Sequence, residues 1–233
     1  MPVSPHKIAE IPLFQSLTGD DCVLISRYAW ERTYAKGEII AFEGDSESPL
    51  YFVVNGLVKV YKISEDGKEQ VLRMVGRGRT FNDAPAFDGQ PNPASVMAVE
   101  ATHVIVLGQR ELNQIISLRP AVALGVIRNF SHALRHLVAL VEDLSLRDVV
   151  ARAAHLLIMQ KFDADTKLHH LTQQEMASMI GAAREVTGRA LKKIEQTGAI
   201  KINRGQITIL DDSLLESIVR GQSAIHIRQN EDI

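Results

Sequence analysis

The sequence predicts an α+β chain made of an N-terminal β-roll, a long helix and a C-terminal winged helix-turn-helix, on three observations. Short apolar runs broken by glycine turns fill the chain up to about residue 107. From about residue 111 to 146 turn signals vanish, apart from Pro120, which suits a helix start. Residues 171–210, LTQQEMASMIGAAREVTGRALKKIEQTGAIKINRGQITIL, then read as helix, tight turn, helix and short hairpin.

Within the roll, strands are expected at residues 37–42, 50–54, 57–63 and 99–107. They are separated by Glu43-Gly44-Asp45, Asn55-Gly56 and Ser64-Glu65-Asp66-Gly67. The long helix, AVALGVIRNFSHALRHLVALVEDLSL, carries one apolar stripe through Val122, Val126, Phe130, Ala133, Leu137, Leu140, Val141 and Leu144. Ile127, Leu134 and Val138 form a second. A helix apolar over two stripes has two surfaces to bury, one against the roll and one against a second copy of itself. A parallel homodimer is expected; a single buried helix in a monomer is the alternative.

The helix-turn-helix carries the most specific pattern. Thr172 and Glu175 form a capping box, and Gly181 ends the first helix. At about 100° per residue, Arg184, Glu185, Gly188, Arg189 and Lys192 fall within an arc of roughly 140°. Val186, Ala190, Leu191 and Ile194 occupy the other side. One face docks on the domain, and the other offers bidentate donors near a helix N-terminus, as a recognition helix does in a DNA major groove. Gly188 costs about 1 kcal/mol of helix propensity relative to Ala, tolerable where another surface must approach closely. Residues 172–204 carry six Lys/Arg against three Asp/Glu, in a chain of formal charge −2. Ile200-Lys201-Ile202 and Ile207-Thr208-Ile209 alternate around Asn203-Arg204-Gly205-Gln206, making a wing. Thr172, Gln173, Thr187 and Lys192 join Arg184, Glu185 and Arg189 as candidate contacts to double-stranded DNA. An ordinary amphipathic helix with a solvated charged face is the plain alternative.

Composition bounds the rest. A chain of 233 residues with 45% hydrophobic and 23% charged residues is ordinary globular material. The one cysteine, Cys22, excludes an internal disulfide and a four-cysteine iron–sulfur cluster held by one chain. The N-terminus MPVSPHKIAEIPLF lacks the apolar core of a signal peptide, and no run of about 18 apolar residues suggests a membrane span. A cytoplasmic location with no membrane partner is expected. The domain reading is 1–118 for the roll, 119–146 for the dimerisation helix, 147–220 for the DNA-binding domain and 221–233 for a polar tail.

This order of parts resembles the Crp/Fnr superfamily of bacterial transcription regulators over nearly the whole chain. IPLFQSL looks like that family's opening turn. AKGEIIAFEGD, LYFVVNGLVKVYK and GRGRTFNDAPAFDGQPNPASVMAVEATHVIVL look like parts of a cyclic-nucleotide-binding roll, and LTQQEMASMIGAAREVTGR like the helix-turn-helix signature. The resemblance places Arg184, Glu185 and Arg189 on base-reading positions and implies a palindromic TGTGA-like operator, with RNA polymerase as a further partner. Arg forks onto guanine O6 and N7, and Glu accepts from cytosine N4. Ala183 departs from the pattern, standing where a serine usually helps to hold phosphate.

The implied effector pocket departs further. Its ribose carboxylate survives as Asp83, preceded by Asn82 in place of glycine, but the Arg-Ser pair for a cyclic phosphate is replaced by Pro93 and Ala94. Proline has no donor and alanine only its backbone N–H, so a partly buried phosphate would lack a cation. At the adenine end, Leu137 and Val138 stand where cyclic-AMP binders carry hydroxyls. Binding of the operator without cyclic AMP is therefore expected, and no cofactor or metal is assigned. A haem or metal reading would draw on His103, His132, His136 or the pair His169-His170, and a redox reading on Cys22. Such histidines are more often polar positions on a packed or solvated face, and a lone cysteine in an early helix is more often simply packed. An effector-dependent regulator and a sensory module without DNA function are the competing readings. No nucleophile–base pairing points to an enzyme.

Overall fold

The structure, a computed structural model, describes residues 3–15, 17–46, 49–162, 171–203 and 206–221. It divides into two compact units: residues 1–62 with 72–137, and residues 63–71 with 138–233.

The first unit opens with helix α1 (Pro5–Ala9), a 3₁₀ turn (Pro12–Phe14) and α2 (Gly19–Ser26). Thr18 starts α2 through a reciprocal capping box with Asp21, satisfying backbone donors that the first turn leaves free. Eight strands follow: β1 (Ala29–Tyr34), β2 (Ile39–Ala41), β3 (Leu50–Asn55), β4 (Val58–Ile63), β5 (Glu69–Val75), β6 (Thr80–Phe81), β7 (Ser95–Ala98) and β8 (Thr102–Leu107). Helix α3 (Asp83–Asp88) lies between β6 and β7. The strands form two four-stranded sheets, in the orders β1-β8-β3-β6 and β2-β7-β4-β5. β3 pairs antiparallel with β8, setting Phe52 opposite Ile105, and β4 with β7, setting Val60 opposite Val96.

Sequence periodicity anticipates β2, β3, β4 and β8, the last starting at Thr102 after a bend. It does not anticipate β1, β5, β6 or β7. Two- and four-residue strands carry too short a pattern to register, and β1 (AWERTY) buries only its two ends. Such strands take their form from the partners they pair with. Gly56, between β3 and β4, has φ +103°, and a Cβ there would lie 2.6 Å from the Thr102 Cα. The turn therefore admits only glycine.

Two apolar clusters hold this unit. One joins Ile8, Ile11, Phe14, Cys22 and Ile25 to Phe52, Ile105, Leu112 and Val122. The other fills the roll with Tyr34, Tyr51, Val53, Phe81, Val96 and Val104, where the Tyr51 and Phe81 rings stack at 4.7 Å. Cys22 lies in the first cluster, and burial pushes its thiol up, so packing is its role here.

Helix α4 (Gln109–Leu118) stops before Arg119-Pro120, and α5 (Ala121–Leu146) begins after it. Proline's missing N–H is harmless at a helix start, which places the break here. α5 buries Val122 and Val126 and exposes Leu124, Ile127, Leu134, Leu137, Val138 and Val141.

The second unit contains α6 (Val149–Phe162), α7 (Gln173–Ile180), α8 (Arg184–Gln196), strands β9 (Ile200–Asn203) and β10 (Gln206–Ile209), and α9 (Asp212–Val219). α6 packs on α8 and α9, and α7 on α8. Ala154, Leu157, Ala177, Leu191, Ile194 and Leu215 are buried among them. β9 and β10 pair antiparallel, with Ile202 opposite Ile207 and Ile200 opposite Ile209. The wing's tip at Arg204-Gly205, the pair His169-His170 and the tail beyond Gly221 lie outside the described residues.

Candidate nucleic-acid interface and effector pocket

Three local features aim α8. The Thr172 hydroxyl accepts from the Glu175 N–H at 3.2 Å, while Glu175 Oε2 accepts from the Thr172 N–H at 2.7 Å, fixing the start of α7. Gly181 caps α7 at φ 65° in the left-handed region, turning the chain within three residues into α8. Thr187, Ala190, Leu191 and Ile194 are buried, anchoring the inner face of α8.

Arg184, Glu185, Arg189 and Lys192 all stand exposed, so the structure brings the proposed readers together on one surface of α8. Thr172 and Gln173 are exposed at the start of α7, and Gln173 Oε1 lies 3.7 Å from where a Cβ on Gly188 would stand. A Cβ at position 188 would therefore meet Gln173 at ordinary van der Waals distance. Thr187 is a correction. It is fully buried, and its hydroxyl donates to the Ala183 carbonyl at 3.1 Å, so it faces the domain interior and is removed from the DNA-contacting set. At roughly 100° per residue it points to the same side as Ala190, Leu191 and Ile194.

Asn82 is in the left-handed region at φ 63°, a conformation asparagine tolerates where glycine would otherwise stand. Its side chain donates to the Pro49 carbonyl at 2.9 Å. Asp83 is buried, and its Oδ1 accepts from the Thr80 hydroxyl at 2.5 Å and from Asn129 Nδ2 at 2.8 Å. The Arg73 guanidinium stands 3.7 Å from Asp83 Oδ2 and donates to the Thr80 carbonyl. Burial pushes the Asp83 carboxyl above the usual carboxylate range, while Arg73, Thr80 and Asn129 pull it back. Burial also lowers the Arg73 guanidinium, and Asp83 opposes that. Pro93 is exposed and Ala94 buried just before β7; Leu137 and Val138 are exposed on α5.

Sequence reading missed Arg73, Thr80 and Asn129. A signal for the first exists: Val71 and Val75 are buried on β5, and Arg73 shares their parity. Two of the candidate histidines have ordinary partners. His103 pairs with Glu31 at 2.9 Å, and His136 Nε2 meets the Leu72 carbonyl at 3.0 Å. Among the described residues no group of three or more His, Cys, Asp or Glu is placed to hold a metal. None of the described helices is long and apolar enough to cross a membrane.

Comparison with known proteins agrees with this architecture. Residues 31–118 match the cyclic nucleotide-binding domain family, and residues 151–218 the Crp-like helix-turn-helix domain family. The cyclic AMP receptor protein of Thermus thermophilus is 27% identical over 210 residues, covering 90% of this chain and 97% of its own. A solved Crp/Fnr-family transcriptional regulator, also from Thermus thermophilus, aligns with TM-score 0.69 at 21% identity, over 83% of this chain and 100% of its own. The c-di-GMP-responsive global regulator of Xanthomonas campestris aligns with TM-score 0.71 at 19% identity, over 82% and 99%.

Proposed function

The chain belongs to the Crp/Fnr superfamily of transcription regulators, and from that premise we propose that it binds a palindromic TGTGA-like operator as a homodimer, without cyclic AMP. The observation that carries this reading is the surface of α8, where Arg184, Glu185 and Arg189 stand exposed above a buried Thr187, Ala190, Leu191 and Ile194. Two arginines and a carboxylate at the front of a helix anchored on one face match the donor and acceptor edges of G·C pairs in the major groove. Lys192 is assigned to a phosphate, and Thr172 and Gln173 to the flanking backbone.

The exposed apolar stripe of α5 supports the dimer. Leu134 and Val141 are 63% and 62% exposed, and two-fold pairing would cover them. Two-fold symmetry in turn requires half-sites about 10 base pairs apart, centre to centre. Independence from cyclic AMP rests on Pro93 and Ala94, which offer no side-chain donor for a phosphate, and on apolar Leu137 and Val138. A regulator of this kind works in the cytoplasm beside RNA polymerase.

Mobility shifts of ligand-free protein on palindromic TGTGA-type DNA test the reading. A shift at about nanomolar protein is expected, the usual range for specific sites, and cyclic AMP should leave it unchanged. A tight shift that needs cyclic AMP would overturn the reading of the pocket. A second reading, control by a small effector, is favoured by the name of the Thermus thermophilus relative and by the surviving carboxylate Asp83. It predicts a shift only after a small molecule is added.

A further inference from the structure

Asn129 reaches from α5 into the polar corner of the roll with both hydrogens of its side-chain amide. Nδ2 donates to Thr80 Oγ1 at 2.9 Å and to Asp83 Oδ1 at 2.8 Å. Thr80 in turn donates to the same carboxylate oxygen at 2.5 Å, closing a triangle of three side chains. Arg73 completes it, with its guanidinium 3.7 Å from the other carboxylate oxygen and bonded to the Thr80 carbonyl. The four side chains come from β5, β6, α3 and α5. A carboxylate removed from water is expensive unless paired and hydrogen-bonded, and here the chain itself supplies every partner.

Two neighbouring contacts fix the same helix. Phe130 meets Phe87 of α3 edge to face at 5.9 Å, and His136 holds the Leu72 carbonyl at 3.0 Å. α5 is therefore fastened to the roll at three successive positions, with the charged corner at their head.

We propose that the Arg73–Thr80–Asp83–Asn129 network takes the place of an effector: it fastens α5 to the roll with no small molecule bound. Thr80, Asn129 and Arg73 give the Asp83 carboxylate the hydrogen bonds and positive charge of its own chain, where a ligand-dependent roll would leave that carboxylate to accept from a ligand's ribose hydroxyl. A ligand moves a conformational equilibrium only through its differential affinity for two states, and a corner already satisfied by the chain leaves little of it. For its consequence at the operator the proposal rests on the reading above; for its geometry it does not. Asn129 is accordingly a positioning residue, acting through Asp83 and Thr80.

Hydrogen exchange across residues 127–137 of the full-length, ligand-free protein tests this directly. Asn129→Leu should lower protection there by about tenfold, the scale of losing one hydrogen bond to a charged group. Asp83→Leu should do the same, and the double variant should lose less than the two single losses combined, because the partners leave together. Should Asn129→Leu fail to fold, Asn129→Ser carries the same comparison with a smaller change. Unchanged protection in the single variants, strict additivity in the double, or a rise in wild-type protection on adding cyclic AMP would each overturn the proposal. Operator binding by the wild type is measured alongside. Failure there alone removes the operator reading and leaves the exchange result to decide the clamp.

Discussion

The Thr187 hydroxyl donates to the Ala183 carbonyl one turn earlier, inside a helix whose neighbouring residues Arg184, Glu185 and Arg189 face outward. A polar residue in the middle of the recognition motif is thus satisfied within its own helix. Thr187→Val should cost no more than about 0.5–1.5 kcal/mol of stability, one neutral hydrogen bond. Operator affinity and base preference should not change. Titrations of the variant on cognate and single-base-altered DNA check this, and a changed preference would return Thr187 to the interface.

Arg189→Ala should cost about 1–3 kcal/mol on the cognate site and relax preference at one base pair. Lys192→Ala should instead weaken all sequences alike and reduce the slope of affinity against salt by about one ion. Binding isotherms at several salt concentrations separate the two. An Arg189 variant with unaltered affinity and preference would remove that residue from the readers.

The dimer is best tested at Leu134. Leu140, on the same helix, is half-buried within the chain, whereas Leu134 is exposed, so a charge there leaves the protomer's own packing alone. Leu134→Glu should shift the protein toward monomer and weaken operator binding in parallel. Sedimentation of wild type and variant at about micromolar protein, where typical homodimers are formed, is the measurement. A wild type already monomeric would count against the seam.

Asp21 sets an acid-side dependence. Hydrogen bonding from Thr18 holds its carboxyl below the usual carboxylate range, against burial, with Arg119 adding to the effect. A depressed folded-state value means that the stabilisation is present above the unfolded value, near about 4, and is lost as pH falls through the folded one. Asp21→Asn should therefore flatten the acid limb of the melting temperature and lower the plateau above it. Melting curves from about pH 2 to 6 span the unfolded value and show the difference. Parallel limbs in the two proteins would mean the depressed value is absent.

The helix-turn-helix was legible because its signals are local. Thr172 and Glu175 are three residues apart, Gly181 ends α7 by its own backbone freedom, and the outward arc of α8 follows from helical spacing. The wing's pairing of Ile202 with Ile207 follows from alternation across a short turn. Thr187 escaped because residue type alone suggested a polar contact, while its helical phase assigned it inward.

Sequence by itself determined the order roll–long helix–winged helix and the charged face of α8, both set by spacings of a few residues. Tertiary structure alone decided β1, β6 and β7, whose short or irregular patterns become strands only against partners distant in the chain, and β5 took its form beside β4. It likewise decided the corner where Asn129 meets Asp83 across 46 residues of sequence. No periodicity encodes that meeting. Burial makes it necessary, because a carboxylate taken out of water must find donors wherever the fold brings them.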